Sequence, residues 1–386
     1  MATMAVTNIG TIVSGDIDRP VLEGDTILVV DGLIDSIGNR DILRGLKPDL
    51  AVDARGTTVI PGLIDSHAHP VLGDYTPRQK SLYYLDSSVH GGVTTMISAG
   101  EPHTPGRPKD PAGVKALAVL ICKSFQNFRP SGLKIHGGAL ILEKGLEEKD
   151  FAELAAQGVW LVGEIGLGGV KDPAEAAPMA EWAKKNGMKV AMHTGGTSIP
   201  GSSTVTAEMV MRVSPTVVSH VNGGTTAISP AEADKLIDRC NLPLEIVQCG
   251  NPKMADYVAR RLAAKGQLHR VIVGNDAPSG SGIIPLGILR TIVQLSSMSH
   301  VPAAQAVAMA TGNTAGVYGL NTSLIAPGRE ADLVVIDAPV GSVGRDALEA
   351  VEAGDIPGVS MVIIDGEVRV GKSGNTPPAR RQAELR

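Results

Sequence analysis

Aromatic side chains are scarce in this chain of 386 residues, with two Trp, five Tyr and three Phe. Cysteine is scarcer: Cys122, Cys240 and Cys249 stand far apart and outside any Cys-x-x-Cys pair. That excludes a disulfide framework and a cysteine zinc site, and it fits a reducing, cytoplasmic setting. No apolar run approaches the ~20 residues that a membrane helix needs. The first ten residues, MATMAVTNIG, lack the basic-then-apolar order of a signal peptide. Neither sign of charge dominates, and a net charge of −5 gives no electrostatic reason to expect nucleic acid or an anionic membrane. What is present is apolar residues, at 43%, which excludes a disordered chain. The 46 glycines follow no three-residue period, which excludes collagen.

Three zones can be read along the chain. Residues 1–58 hold short apolar or alternating runs, Thr26–Val30, Leu33–Ile37 and Ala51–Asp53. Asp31-Gly32, between the first two, is a hairpin signal because type I′ turns need positive φ. Residues 325–370 repeat the pattern, with Ala331–Ile336, Ser360–Ile364, Asp365-Gly366 and Glu367–Val370. Since one hairpin alone is marginal, both ends are expected to pair into one small β module, comprising 1–58 and 325–386. Gly374–Arg386 reads as a polar tail.

Between them, residues 59–324 alternate apolar runs with helical stretches. The runs are Val59–Ser66, Val93–Ser98, Leu133–Ile135, Val159–Val162, Lys189–Met192, Thr216–Ser219, Leu242–Gln248 and Arg270–Val273. Helical signals occupy Pro111–Ser124, Glu147–Gln157, Pro173–Asn186, Pro230–Arg239, Met254–Lys265 and Pro285–Ser297. Eight strand–helix units over this length predict an α/β fold, a (β/α)8 TIM-like barrel, with a doubly wound open sheet as the alternative. No fixed-length repeat supports a solenoid.

In such barrels the chemistry lies at the C-terminal ends of the strands. Those ends bring His67 and His69 (strand 1), His136 (strand 3), Glu164 (strand 4), His193 (strand 5), His220 (strand 6) and Asp276 (strand 8). In His67-Ala68-His69 both imidazoles fall on one side of an extended segment, because side chains alternate along a strand. Two neutral imidazoles so placed can chelate a borderline dication such as Zn2+ or Fe2+. One histidine alone would be an ordinary core or surface residue. Four at strand ends, with two carboxylates, point to metal-assisted hydrolysis at a carbonyl or similar centre. His136 reads either as a substrate-orienting or as a core residue, and Cys249 as buried and inert. Of the 46 glycines, 17 crowd into the expected strand-end loops, where a bare backbone can approach metal and ligand.

The stretch Val59-Ile-Pro-Gly-Leu-Ile-Asp-Ser-His-Ala-His-Pro70 resembles the first-strand motif of the amidohydrolase superfamily. Asp31–Gly38 and Ala326–Val334 are similar to its N- and C-terminal β-sandwich signatures, so the resemblance spans nearly the whole chain. Within it, Gly73–Lys80, His193–Ser203, Val247–Lys253 and Gly274–Ser279 look like loops of the members that open cyclic enamides in nicotinate fermentation. The resemblance implies that His67 and His69 bind one metal and His193 and His220 a second. Glu164 would bridge the two in place of a carboxylated lysine. Asp276 would be both a ligand of the first metal and the proton shuttle. It further implies Zn2+ with Fe2+, or two Zn2+, and a homotetramer. The implied substrate is a small anionic cyclic amide, 1,4,5,6-tetrahydro-6-oxonicotinate, with 2-formylglutarate and ammonia as products. Candidates to receive it are Tyr75, Arg78, Arg107, Thr197, Asn222 and Lys253. Alternatives are a dihydroorotase-, hydantoinase- or isoaspartyl dipeptidase-like hydrolase. More remote is a metal-free assembly protein on the same fold.

Overall fold

A computed structural model describes residues 2–70, 78–102, 106–197, 202–224, 226–278 and 284–386, without the side chains of 78–82. Eight strands run parallel: Leu63–Ala68, Val93–Ser98, Lys134–His136, Leu161–Ile165, Lys189–Met192, Val217–Val218, Leu244–Val247 and Val271–Gly274, here strands 1 to 8. Single bridges, Leu140 to Val162 and Ala68 to Ala277, join the two halves into a closed ring. The fold is therefore the barrel and not the open sheet.

Helix starts are written locally. Asp110, Asp172, Ser229 and Asn251 each cap a backbone N–H, and each is followed by proline at the first helical position. The cap satisfies a donor the helix cannot, and proline has no N–H to leave unsatisfied. The helices Arg78–His90, Ala207–Val213, Ala303–Met309 and Gly312–Tyr318 carry no such cap-plus-proline signature and were not expected.

Inside the barrel, Ile64, Ile97, Leu161, Val217 and Ile272 pack together, with Ala315 and Tyr318 against them. The interior is thus a filled core below the strand ends.

The expected first barrel strand, Val59–Ser66, divides in two. Thr58–Pro61 belongs to the β module, paired with Thr11–Val13 and Leu333–Asp337, and strand 1 begins only at Leu63. The module is two sheets, of five and six strands, around a core that includes Val6, Ile27, Val59, Val335 and Ile363. Asp31 and Gly32 have φ of 47° and 79°, as the hairpin reading requires. The segment read as a polar tail is built in. Glu384–Leu385 adds an edge strand beside Leu50–Asp53, and Arg381 clasps buried Asp337 through two nitrogens at 2.7 and 3.0 Å.

Barrel and module are joined by Lys134, whose ammonium meets Glu330, Asp332 and Asp365 at 2.5, 2.7 and 2.8 Å. The Asp332 side chain is wholly buried. Lys134→Ala leaves that carboxylate without its cation. We expect a loss of about 3 kcal/mol, read as a lower urea midpoint.

Candidate metal centre

Every candidate ligand sits at, or one to two residues beyond, a strand's C-terminal end. His67 and Glu164 lie within strands 1 and 4, while His69, His193, His220 and Asp276 follow strands 1, 5, 6 and 8. Five of the six residues are buried; the Asp276 side chain is 21% exposed, so the cluster opens to solvent at that carboxylate.

Glu164 is central. Its Oε2 lies 3.5 Å from His67 Nε2 and 3.9 Å from His69 Nε2. Its Oε1 lies 2.5 Å from His220 Nε2 and 3.7 Å from His193 Nδ1. Asp276 Oδ1 approaches His69 Nε2 at 3.3 Å and His67 Nε2 at 3.7 Å. One carboxylate thus faces two groups of imidazole nitrogens with its two oxygens.

The outer ring nitrogens decide which inner nitrogens are free. His69 Nδ1 donates to Gly100 O at 2.6 Å, and His193 Nε2 donates to Gly196 O at 3.1 Å. His67 Nδ1 donates to Glu245 Oε2 at 2.7 Å. A carbonyl or carboxylate oxygen only accepts, so in these three rings the outer nitrogen carries a proton, and the inner nitrogen is the one left to give a lone pair to a cation in exchange for its own proton. Buried His67 Nε2 has no hydrogen-bond partner among the described residues. Four imidazole nitrogens and two carboxylates, with mutual ligand-atom separations within 4.8 Å in each group of three, suit borderline divalent cations, so the residues fit a metal pair.

The electrostatics agree. Burial pushes the Glu164 carboxyl up, but His67, His220 and His193 outweigh it and hold it well below the usual carboxylate range. Burial likewise works against ionised Asp276, and His69, His67 and His220 reverse it. Both carboxylates are anionic at neutral pH. His220 and Asp276 have φ of 31° and 59°, in the left-handed region that non-glycine residues seldom occupy; strain of this kind gathers at working sites.

Glycine is required at one contact here. A Cβ on Gly274 would stand 2.6 Å from His67 Cβ and 3.0 Å from Ser66 Oγ. Strand 8 can lie this close to strand 1 only without a side chain at that position.

Other expected residues fall elsewhere. His136 stacks edge-on against Trp160, before strand 4 and at the opposite end of that strand from Glu164. Desolvation lowers its pKa to about 4, so it packs there as a neutral ring, in line with the core reading. The Asn222 amide is used between strands 6 and 7, donating to Val247 O at 2.9 Å and accepting from Val247 N at 2.8 Å. The Arg107 guanidinium meets buried Glu143 at 2.8 Å. Thr197 and Lys253 are exposed. Cys249, expected to be buried, is half-buried. Tyr75 and the Arg78 side chain lie outside the described residues.

Two buried carboxylates escaped sequence reasoning. Asp65 accepts from the backbone N–H of His67 and of Asn275, tying strand 1 to strand 8, and burial raises its pKa to about 7. Glu245 joins His67, as above. Each breaks an otherwise apolar run, Leu63-Ile-Asp-Ser and Leu244-Glu-Ile-Val, and that interruption was the available signal.

A barrel with this donor set at its strand ends is the frame of metal-dependent hydrolases. The chain belongs to the amidohydrolase family, whose profile matches residues 58–369. It is 61% identical to enamidase from Eubacterium barkeri over 100% of both chains. The crystal structure of an enamidase superposes with a TM-score of 0.97, at 61% identity and full coverage of both chains. Imidazolonepropionase from Clostridium tetani is 26% identical, covering 83% of this chain and 85% of its own. The β-aspartyl dipeptidase of Fervidobacterium islandicum shares the fold at a TM-score of 0.66, with 16% identity and 97% of each chain covered.

Gly274→Ala tests the geometry. We expect fewer than two metals per chain by mass spectrometry, with the circular dichroism of the folded barrel retained.

Proposed function

We propose that this protein opens the ring of a cyclic enamide, 1,4,5,6-tetrahydro-6-oxonicotinate, releasing 2-formylglutarate and ammonia. The observation that carries the reading is the single buried Glu164 facing two imidazole groups, in a chain 61% identical end to end to an enamidase. In this reading His67, His69 and Asp276 hold one dication, His193 and His220 the other, and Glu164 both. The pair is Zn2+ with Fe2+, or two Zn2+. A homotetramer in the cytoplasm completes the proposal.

Two dications bound there supply an acidified water and Lewis acidity at the scissile carbonyl. The protein's own groups do the rest. Asp276, held anionic by its imidazole neighbours and the most exposed of the six, takes a proton from the attacking water. It returns that proton to the ring nitrogen as the C–N bond breaks. The enamine so released tautomerises to an imine, and a second water frees ammonia and the aldehyde. The substrate carboxylate is met by the loops carrying Tyr75, Arg78, Thr197 and Lys253. Arg107, paired with Glu143, and Asn222, bound to Val247, shape the wall beside them.

The test is ammonia release from the oxotetrahydronicotinate, measured beside dihydroorotate and isoaspartyl dipeptides. Turnover of either of the latter in its place overturns the substrate and keeps the hydrolase; a metal-free, folded, inactive protein overturns both. Asp276→Ala is expected to lower kcat by about 10³-fold, a typical worth of positioned proton transfer. A chelator is expected to abolish turnover, and added Zn2+ and Fe2+ to restore it.

A further inference from the structure

Strand 7 carries no ligand, yet it holds the deepest carboxylate near the cluster. The Glu245 side chain is fully buried, and its charge partner among the described residues is His67. Three donors converge on it. His67 Nδ1 and the His220 backbone N–H reach Oε2 at 2.7 and 3.3 Å, and Ser66 Oγ reaches Oε1 at 2.5 Å. One oxygen therefore touches a ring from strand 1 and the main chain at the end of strand 6, residues assigned to different metals in the reading above.

We infer that Glu245 is a positioning residue that sets the metal affinity of the His67 half of the centre and fixes its spacing from the His220 half. The inference rests on the two-metal reading. A histidine ligand that gives its outer N–H to an ionised carboxylate is locked in one tautomer and one orientation, and its inner nitrogen becomes the better electron-pair donor. His69 and His193 give theirs to neutral carbonyls, which orient a ring without adding charge. His67 is thus singled out. A packing role alone does not call for a charge here, because a neutral amide of the same shape would accept from His67 with its oxygen and donate its NH2 to Ser66 Oγ. Placing an anion in this dry position is costly unless a cation lies near, which the His67 ring links to it.

The probe is Zn2+ titrated into the metal-stripped full chain against a chromophoric chelator, with thermal unfolding of the stripped protein in parallel. Glu245→Gln keeps size and hydrogen-bonding reach and removes charge. The expected result is a 10- to 100-fold weaker affinity at one of two sites, with the unfolding temperature of the stripped protein held near wild type. Ser66→Ala, which removes one donor and leaves the Glu245–His67 contact, is expected to change affinity less than 3-fold. Wild-type affinity in Glu245→Gln overturns the inference, as does an equal loss in Ser66→Ala, which would signal general disturbance of strand 1. A wild-type chain that binds no Zn2+ overturns the two-metal reading itself, a separate outcome. Should Glu245→Gln not fold, Glu245→Asp keeps the charge and withdraws it by one methylene. Its Co2+-loaded form is expected to show shifted visible bands, and an unchanged spectrum overturns the inference.

Discussion

An ionised carboxylate with almost no access to water is the constraint around which this molecule is arranged. Glu164 is 2% exposed and has no lysine or arginine beside it among the described residues. A lone anion so buried would neutralise itself by taking up a proton. The imidazoles of His67, His220 and His193 keep it charged, and they can do so only if their rings are aimed inward from different strands. The barrel provides that convergence, because parallel strands deliver their C-terminal ends to one rim.

Convergence has local requirements. Three of the four rings are aimed from behind: His69 by Gly100 O, His193 by Gly196 O and His67 by Glu245. The backbone at Asp276 turns into a left-handed conformation while its N–H bonds His67 O at 2.8 Å. Beside it the His69 N–H bonds Ala277 O at 2.9 Å, so the closing seam of the barrel runs through the ligand loop. Gly274 gives that seam its clearance. Closing the barrel and assembling the centre are the same set of contacts.

Much of this was legible in the sequence because strands, caps and the His-x-His pair are local signals. Period-two placement put His67 and His69 together, and their rings do stand 5.2 Å apart. Helix starts at Pro111, Pro173 and Pro230 are read where they lie, whereas the helix expected from Met254 begins two residues earlier, at Pro252 behind its Asn251 cap. What escaped depends on contacts distant along the chain. Thr58–Pro61 looks continuous with strand 1, and only its pairing with Leu333–Asp337, some 270 residues later, assigns it to the module. The final residues look polar because their charges are exposed until Arg381 finds Asp337. His136 reads as a site residue because strand 3 ends there. Beyond it the backbone runs on to Leu140, whose N–H bonds Leu161 O, and carries the rim further along. Asn222 and Arg107 could not be told from free polar groups without Val247 and Glu143, their partners across the fold.

The residues missed at the centre share a physical character. Asp65 and Glu245 are acidic groups within apolar strands, positions where local rules call for valine or isoleucine. Such conflicts between local pattern and chemistry gather where function overrides stability. Near this rim Glu164, Asp276 and Glu245 place three carboxylates around four imidazoles, with no lysine or arginine ion pair to them among the described residues. A ring that turns its lone pair toward a carboxylate does not neutralise it, and a protonated ring cannot also donate an electron pair. The only state in which every ring keeps its inner lone pair and every carboxylate its charge is one with positive charge supplied from outside the polypeptide. With the proposed metal pair in place, part of the electrostatic balance passes to the bound cations, and metal binding at this rim and stability of the folded barrel become thermodynamically linked.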